Sequence, residues 1–510
     1  MPRALAVAMP RALAVAVALS LALLTATPAA ARSATASPVA RLDEPAIPSA
    51  EAPDVFIVMV DDLGYLPDDR VLERLPHIRQ LWLDGGLGFT QMYDQTPLCG
   101  PSRVSMLTGK NTLSHGVVRN DPQPFDDSET VAVALQEAGY HTIMAGKYLN
   151  RYDGSVVPPG WDHAFMVKSE SRPSFWRDGV AISYRGHFGD DVTRQEAVRQ
   201  VRRAPPDQPL LAWVAPGAPH VCEAGSGQCY EPEVMARDQG AAACASLAPS
   251  RPPSYTISTN PREAREMPAW PRGWRLRRVC ESLLVVDRMV GQLVDAQADR
   301  DRPAWFLFLS DNGMSWGQQG FSLKHTPPAT HAPFFVAGPG VEPGVTDALV
   351  SKIDIAPTIA QAAGLELPWA DGTTFLPLLR GEASAGRAEL LEVMPGSNDL
   401  SYDGWSALRT PDRRFIRWDT GEGELYDLAA DPWQLTDLMA AEPEVAAAME
   451  ARLDELLAAS GQETPGPAAS GQAASGQAPA TRLGSSRPSY WRRLATMEAG
   501  MRWTLPATRS

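Results

Sequence analysis

Short, uninterrupted apolar runs alternate along most of the chain with stretches whose apolar residues return every three or four positions. The clearest run is Asp54-Val55-Phe56-Ile57-Val58-Met59-Val60, which ends in Asp61-Asp62-Leu63-Gly64. A short run apolar at every position predicts a central strand of a parallel sheet, covered on both faces. Four more runs follow: His141–Ala145 before Gly146-Lys147, Leu210–Ala215 before Pro216-Gly217-Ala218-Pro219-His220, Trp305–Ser310 before Asp311-Asn312-Gly313, and Pro333–Ala337 before Gly338. Between them, Val131–Ala138, Asp191–Arg203, Arg275–Ala298 and Ile353–Ala363 carry amphipathic-helix spacing. Strand and helix in alternation predict an α/β fold with a doubly wound, mainly parallel sheet. In such sheets ligands gather at the C-terminal strand ends, where these runs deliver acids, amides, a lysine and a histidine.

After about Arg380 the rhythm changes. Trp405–Thr410 and Arg413–Asp419 look like short strands, Glu424-Leu425-Tyr426-Asp427-Leu428 precedes a turn at Asp431-Pro432, and a helix is expected over Glu444–Ala458. This stretch, 386–460, resembles the small C-terminal antiparallel subdomain of sulfatases, with Leu425-Tyr426-Asp427-Leu428 and Asp431-Pro432 as its most recognisable words, and is expected beside a main α/β domain over 53–385. The region from Cys222 to Arg272 has no period and reads as a long excursion over the active face. Residues 32–52 and 461–510 are low in complexity, the latter with repeated Ser-Gly-Gln units, and read as a flexible leader and tail.

The first 31 residues read as a cleaved export signal. Arg3 and Arg11 give a positive start, Ala12–Leu24 an apolar centre, and Ala29-Ala30-Ala31 a small-residue cleavage site. Met1–Ala8 recurs as Met9–Ala16. A secreted location follows as the expectation, with no later run apolar enough to span a bilayer. Export permits disulfides. Besides Cys99 there are Cys222, Cys229, Cys244 and Cys280, for which two bridges are expected; Cys222 with Cys229 and Cys244 with Cys280 is the most local of three pairings. The formal net charge of −14 over 510 residues argues against a nucleic-acid partner.

The densest chemistry lies in Leu98-Cys99-Gly100-Pro101-Ser102-Arg103-Val104-Ser105-Met106-Leu107-Thr108-Gly109. Pro101 suits the first position of a helix and Gly109 the left-handed residue after its last turn. The helix would then begin beside Cys99, where unpaired N–H groups and Arg103 favour a tetrahedral oxyanion such as sulfate or phosphate. These residues resemble the type I sulfatase signature, Cys-x-Pro-Ser-Arg, three variable residues, then Leu-Thr-Gly. The resemblance implies an alkaline-phosphatase-like fold and oxidation of Cys99 to formylglycine by a formylglycine-generating enzyme, the hydrated aldehyde being the nucleophile that attacks sulfur.

Asp61, Asp62, Asp311 and Asn312 supply hard oxygen donors, which favour calcium or magnesium. The matching family residues, with the modified Cys99, hold one divalent cation, usually Ca2+. Lys147, in Gly146-Lys147-Tyr148-Leu149-Asn150, is similar to the element found in N-acetylglucosamine-6-sulfatases, as is Pro158-Pro159-Gly160-Trp161-Asp162. Arg103, Lys147 and Lys324 would stabilise charge growing on the sulfate oxygens. His220 resembles the histidine that contacts the sulfate or assists the leaving group, and an imidazole can donate to a departing alkoxide near neutral pH. His115, in Ser114-His115-Gly116-Val117, either helps deprotonate the geminal diol or braces the loop. The chain departs from the family at Leu149 and Asn150, where a histidine is common after the Gly-Lys element, and after Lys324, which precedes Pro333 by nine residues; His325 stands beside it.

The expected activity is hydrolysis of a sulfate ester, of a small molecule or a glycan. Two alternatives share the residues: a phosphonate or phosphate monoester hydrolase with the same nucleophile, and a non-catalytic glycan-binding homologue whose Cys99 is never converted.

Overall fold

The structure is a computed structural model that describes residues 52–120, 125–169, 173–221, 231–254, 273–396 and 403–460. The signal, leader and tail segments, Cys222, Cys229 and much of the Cys222–Arg272 excursion lie outside the described residues.

The Asp54–Val60 run is a strand buried at all of its positions. It pairs in parallel with Leu210–Ala215 on one side and Ala304–Ser310 on the other, and the parallel set continues through His141–Gly146 to His163–Ser169. Successive side chains go to opposite faces. Phe56, Val58 and Val60 pack into one apolar layer with the helices Gly189–Arg203 and Leu276–Ala298. Val55, Ile57 and Met59 pack into another with the helices Val131–Glu137 and Ile355–Ala362 and with Met106 and Leu107. Burial on both faces is the physical reason the run carries no polar alternation. The predicted helices all form, with ends shifted by a few residues at most.

One strand departs from expectation. Phe334–Ala337 runs antiparallel to both of its neighbours, Ala304–Ser310 and Leu87–Phe89. Apolar content alone does not encode direction. The segment between Ser310 and Phe334 holds no helical crossover, only short strands and a 3-10 turn, so the chain re-enters the sheet from the edge it has just left. Gly338 therefore ends at the opposite edge from Asp311. Further strands, Ser174–Arg177, Val180–Ser183 and Gly344–Thr346, extend the sheet to ten among the described residues.

The C-terminal residues form a separate four-stranded antiparallel sheet, Leu390–Met394, Trp405–Arg409, Arg413–Trp418 and Gly423–Asp427, in that order. The helix Pro443–Ala459 covers one face through Met449, Leu453 and Leu457. On the other face Met394, Trp405, Ile416 and Tyr426 close over Leu98. The small sheet thus packs against the residue preceding Cys99.

Cys244 and Cys280 form a disulfide across 36 residues, both buried. It ties the excursion to the long helix that follows. Loop entropy puts its contribution at about 4 kcal/mol, so the Cys244→Ala/Cys280→Ala protein is expected to lose about 2–4 kcal/mol in urea unfolding, with a somewhat steeper slope because the unbridged denatured chain exposes more surface. An unshifted midpoint would show that packing alone holds the excursion.

Two buried histidines give the fold an acid-sensitive component. Burial, with Lys110 for His115 and Arg409 for His331, pushes both imidazoles down to about 3. The unfolded chain takes up these protons near pH 6.5 while the folded chain resists them, so stability present above that pH is lost as pH falls toward 3. His331 sits between the rings of Tyr65 and Tyr93, at centroid distances of 4.0 and 4.3 Å. The His331→Phe protein should lose stability less steeply between pH 6 and 4, by at most about 1.4 kcal/mol per pH unit, in a series of urea midpoints. Equal slopes would mean the unfolded chain gains no protons there.

Candidate active site

The helix that carries Cys99 spans Cys99–Thr108 and starts two residues before the position expected from Pro101, with extended Leu98 as its cap. Proline is tolerated anywhere in the first turn because those N–H groups have no partner within the helix. Gly109 ends the helix at φ 71°, and its N–H donates to the Ser105 carbonyl. At the start, Asn120 Oδ1 accepts from the Gly100 N–H at 2.8 Å, so another loop caps the turn beside Cys99.

Three strand ends converge on Cys99, which is 1% exposed. Its Sγ lies 3.6 Å from Asp61 Oδ1, 3.9 Å from Asp62 Oδ1, 3.6 Å from Lys147 Nζ and 3.0 Å from Lys324 Nζ. Burial, reinforced by Asp311, pushes the thiol well above its ordinary range. Cys99 is therefore not a thiolate nucleophile as it stands.

The charges around it are paired. Lys147 holds Asp61, Lys324 Nζ donates to Asp62 Oδ1 at 2.6 Å, and Arg103 Nε donates to Asp311 Oδ2 at 2.9 Å with Nη2 3.5 Å from Asp61. Burial opposes ionisation of Asp61, yet Lys147, His220 and Arg103 prevail and hold its carboxyl below the usual range. Burial is likewise outweighed at Asp62 by Lys324 and His220. Asp62 adopts a left-handed backbone, φ 62°, and its N–H donates to Asp311 Oδ1 at 3.1 Å, which locks the two strand ends together.

His220 Nε2 lies 3.3 Å from Asp62 Oδ2 on the more open side. Its turn is fixed by Asp190, whose carboxylate accepts from the Gly217 and Ala218 N–H groups at 2.6 and 3.0 Å. His115 stands elsewhere: its Nδ1 accepts from the Val117 N–H at 3.1 Å and its Nε2 is 2.9 Å from Ser105 Oγ. Both ring nitrogens are engaged in holding the loop against the helix. His325, in a left-handed backbone at φ 77°, gives its carbonyl to Trp405 Nε1 at 3.1 Å.

The donor set fits a hard divalent cation. Ligand atoms of Asp61, Asp62, Cys99 and His220 lie within 4.8 Å of one another; Asp311, expected as a ligand, is not in that group, its Oδ1 accepting from the Asp62 and Asn312 N–H groups and its Oδ2 from Arg103. Asn312 donates through Nδ2 to Asp62 Oδ1 at 2.7 Å, while its buried Oδ1 has no hydrogen-bond partner. An orphaned carbonyl oxygen beside two carboxylates is what such an ion requires.

One supporting pair lay outside the sequence reading. Lys352, 1% exposed, pairs with buried Asp94 and donates to the Asp311 carbonyl. Asp94 accepts from the Gly313 N–H at 3.2 Å, and burial drives its carboxyl up to about 7 against the pull of Lys352. A lysine inside Val350-Ser351-Lys352-Ile353 was the available signal. Removing one member of a buried pair leaves the other uncompensated, so Lys352→Met should cost about 3–5 kcal/mol in urea unfolding; a loss within measurement error would show that the pair is dispensable.

Residues 53–365 match the family described as Sulfatase, and 325–460 the one described as N-sulphoglucosamine sulphohydrolase, C-terminal. The chain belongs to the sulfatase family, a class of sulfuric ester hydrolases. It is 27% identical to a choline-sulfatase of Rhizobium meliloti over 76% of this chain and 82% of that protein, and 26% identical to the human N-acetylglucosamine-6-sulfatase over 81% and 86%. It spans 47% of a putative extracellular sulfatase Sulf-1 homolog of Caenorhabditis elegans, also at 27% identity. In fold it is similar to BT4656, solved with D-glucosamine-2-N,6-O-disulfate (TM-score 0.69, 20% identity, 80% of this chain and 98% of that one). It is also similar to a phosphonate monoester hydrolase from Silicibacter pomeroyi (TM-score 0.58, 21% identity, 80% and 95%).

Proposed function

We propose that the protein is an exported hydrolase of carbohydrate sulfate esters, with formylglycine made from Cys99 and one divalent cation held by Asp61, Asp62, Asp311, Asn312 and the modified residue 99. The observation that carries this reading is the placement of Cys99 Sγ at a helix N-terminus within 3.0–3.6 Å of Lys324, Lys147 and Asp61. Calcium suits the hard oxygen set best, with magnesium the alternative. Bound there, formylglycine supplies a hydrated-aldehyde nucleophile and the cation supplies Lewis acidity.

The chain's own residues do the rest. Lys147 and Lys324 receive the sulfate oxygens as charge grows on them. Arg103, fully buried and bonded to Asp311, positions the carboxylates and does not meet substrate. His220, on the open side, delivers the proton to the leaving oxygen. His115 braces the loop. Residues 53–385 form the catalytic domain, 386–460 close over Leu98, residues 1–31 direct export, and a formylglycine-generating enzyme acts on Cys99 during maturation.

The neighbour that hydrolyses phosphonate monoesters makes the test specific. Purified enzyme should turn over an aryl sulfate with higher kcat/KM than the matching aryl phosphonate; both esters are monoanions, and the sulfate offers one more terminal oxygen to Lys147 and Lys324, which both stand at Cys99. The reverse order would assign the chain to phosphonate chemistry.

A further inference from the structure

Away from Cys99, a cavity of about 360 Å³ opens between the 314–331 loop and the small C-terminal sheet. That is within the roughly 300–1,000 Å³ of small-ligand sites. Its walls include Tyr65, Gln318, Arg409, Arg414, Trp433 and Gln434, and none of Asp61, Cys99, His220 or Lys324.

Behind it lies a buried charge cluster that does not balance. Glu392, fully buried, accepts from Arg409 Nε at 3.1 Å and from Arg414 Nε at 2.9 Å, leaving two guanidiniums to one carboxylate. Arg414 is otherwise occupied: Nη2 donates to the Pro327 carbonyl at 2.9 Å and Nη1 to Gln434 Oε1 at 3.3 Å. Arg409 is not. It is 1% exposed, its guanidinium lies 3.6 Å over the Tyr93 ring, and its Nη1 has no hydrogen-bond partner. A buried charged donor without an acceptor is costly, and Glu392 and Tyr93 fix this one in place. Arg409 stands in the wall of the cavity, with Nη1 itself covered, so its uncompensated charge acts on what the cavity holds.

The remaining wall selects the ligand. Half-buried Tyr65 and Trp433 offer ring surface, Gln318 and Gln434 offer side-chain amides, and Gln319 ties the two walls by donating to the Gln434 carbonyl at 3.0 Å. Ring faces beside amides suit a molecule with apolar C–H faces and a hydroxylated edge. One net positive charge suits one negative group. We propose that this cavity is a second binding site, separate from the Cys99 centre, for an anionic sugar unit whose carboxylate or sulfate is held by the charge of Arg409 and whose ring lies against Trp433 and Tyr65.

Calorimetric titration of the full-length protein tests this without requiring turnover. D-glucuronate should bind at least about tenfold more tightly than D-glucose, the margin of one charge-assisted contact. Glucose 6-sulfate, titrated into the Cys99→Ala protein so that it is not consumed, supplies the sulfate arm; because Lys147 and Lys324 can also hold a sulfate at the Cys99 centre, only the part of its affinity that Trp433→Ala removes is assigned to the cavity, and the anion more weakened by that variant identifies the group received. Trp433→Ala and Gln318→Ala, both on the partly exposed rim, should each weaken the better ligand by about tenfold, as should Arg409→Gln where it folds. Absent binding of both anions, equal binding of glucose, or unchanged affinity in both rim variants would overturn the proposal, whatever the fate of the sulfatase reading.

Discussion

Replacing Cys99 by alanine should leave a folded protein whose turnover of an aryl sulfate falls by about four to six orders of magnitude, the loss typical when a nucleophile is removed. The side chain is small and sits in the first turn of its helix, so the Cys99→Ala substitution is compatible with the backbone and the unfolding midpoint should move little. Lys147 and Lys324 remain to bind sulfate through their charges, so KM should change far less than kcat. Activity within tenfold of wild type, a difference of about 1.4 kcal/mol in the barrier, would place the nucleophile elsewhere.

The second large effect belongs to Asp311. Its Oδ1 accepts from the N–H groups of Asp62 and Asn312 at 3.1 and 2.8 Å while Oδ2 accepts from Arg103 at 2.9 Å. Asp311→Asn keeps the shape and removes the charge. Metal affinity, measured by equilibrium dialysis and elemental analysis, should fall by about two orders of magnitude or more, since even indirect partners of metal ligands are worth 10- to 100-fold. Turnover should fall with it. Stability should drop as well, because Arg103 is fully buried and among the described residues would keep only Asp61, at 3.5 Å, as an ion-pair partner. Asn312→Ala, which strips no charge from Arg103, should lose metal with a smaller stability cost. Unchanged metal content in both would remove the strand-end carboxylate and amide from the ion site.

These expectations were legible in the chain to different degrees, for physical reasons. Asp54–Val60 and Trp305–Ser310 announced themselves because burial on both faces forbids polar alternation, and their ends brought Asp61, Asp62, Asp311 and Asn312 to one edge. The direction of Phe334–Ala337 was not readable, since direction depends on the connection and not on the strand. His163–Ser169 and Val180–Ser183 were missed because they lie toward the far edge, where exposed positions dilute the apolar signal. Lys352 with Asp94, and Glu392 with Arg409 and Arg414, are long-range buried charges. Sequence shows each as an isolated ionisable residue, and only the fold supplies its partner. Of the cysteines, Cys244 and Cys280 pair as the most local choice proposed.

Mass analysis of the peptide bearing residue 99, from purified protein shown to hydrolyse an aryl sulfate, tests the central claim most directly. The predicted result is a peptide lighter than the encoded one by the difference between a sulfanylmethyl (CH2SH) and an aldehyde (CHO) side chain, and shifted again by an aldehyde-specific hydrazide label. An active preparation in which residue 99 is entirely unmodified cysteine would contradict the account.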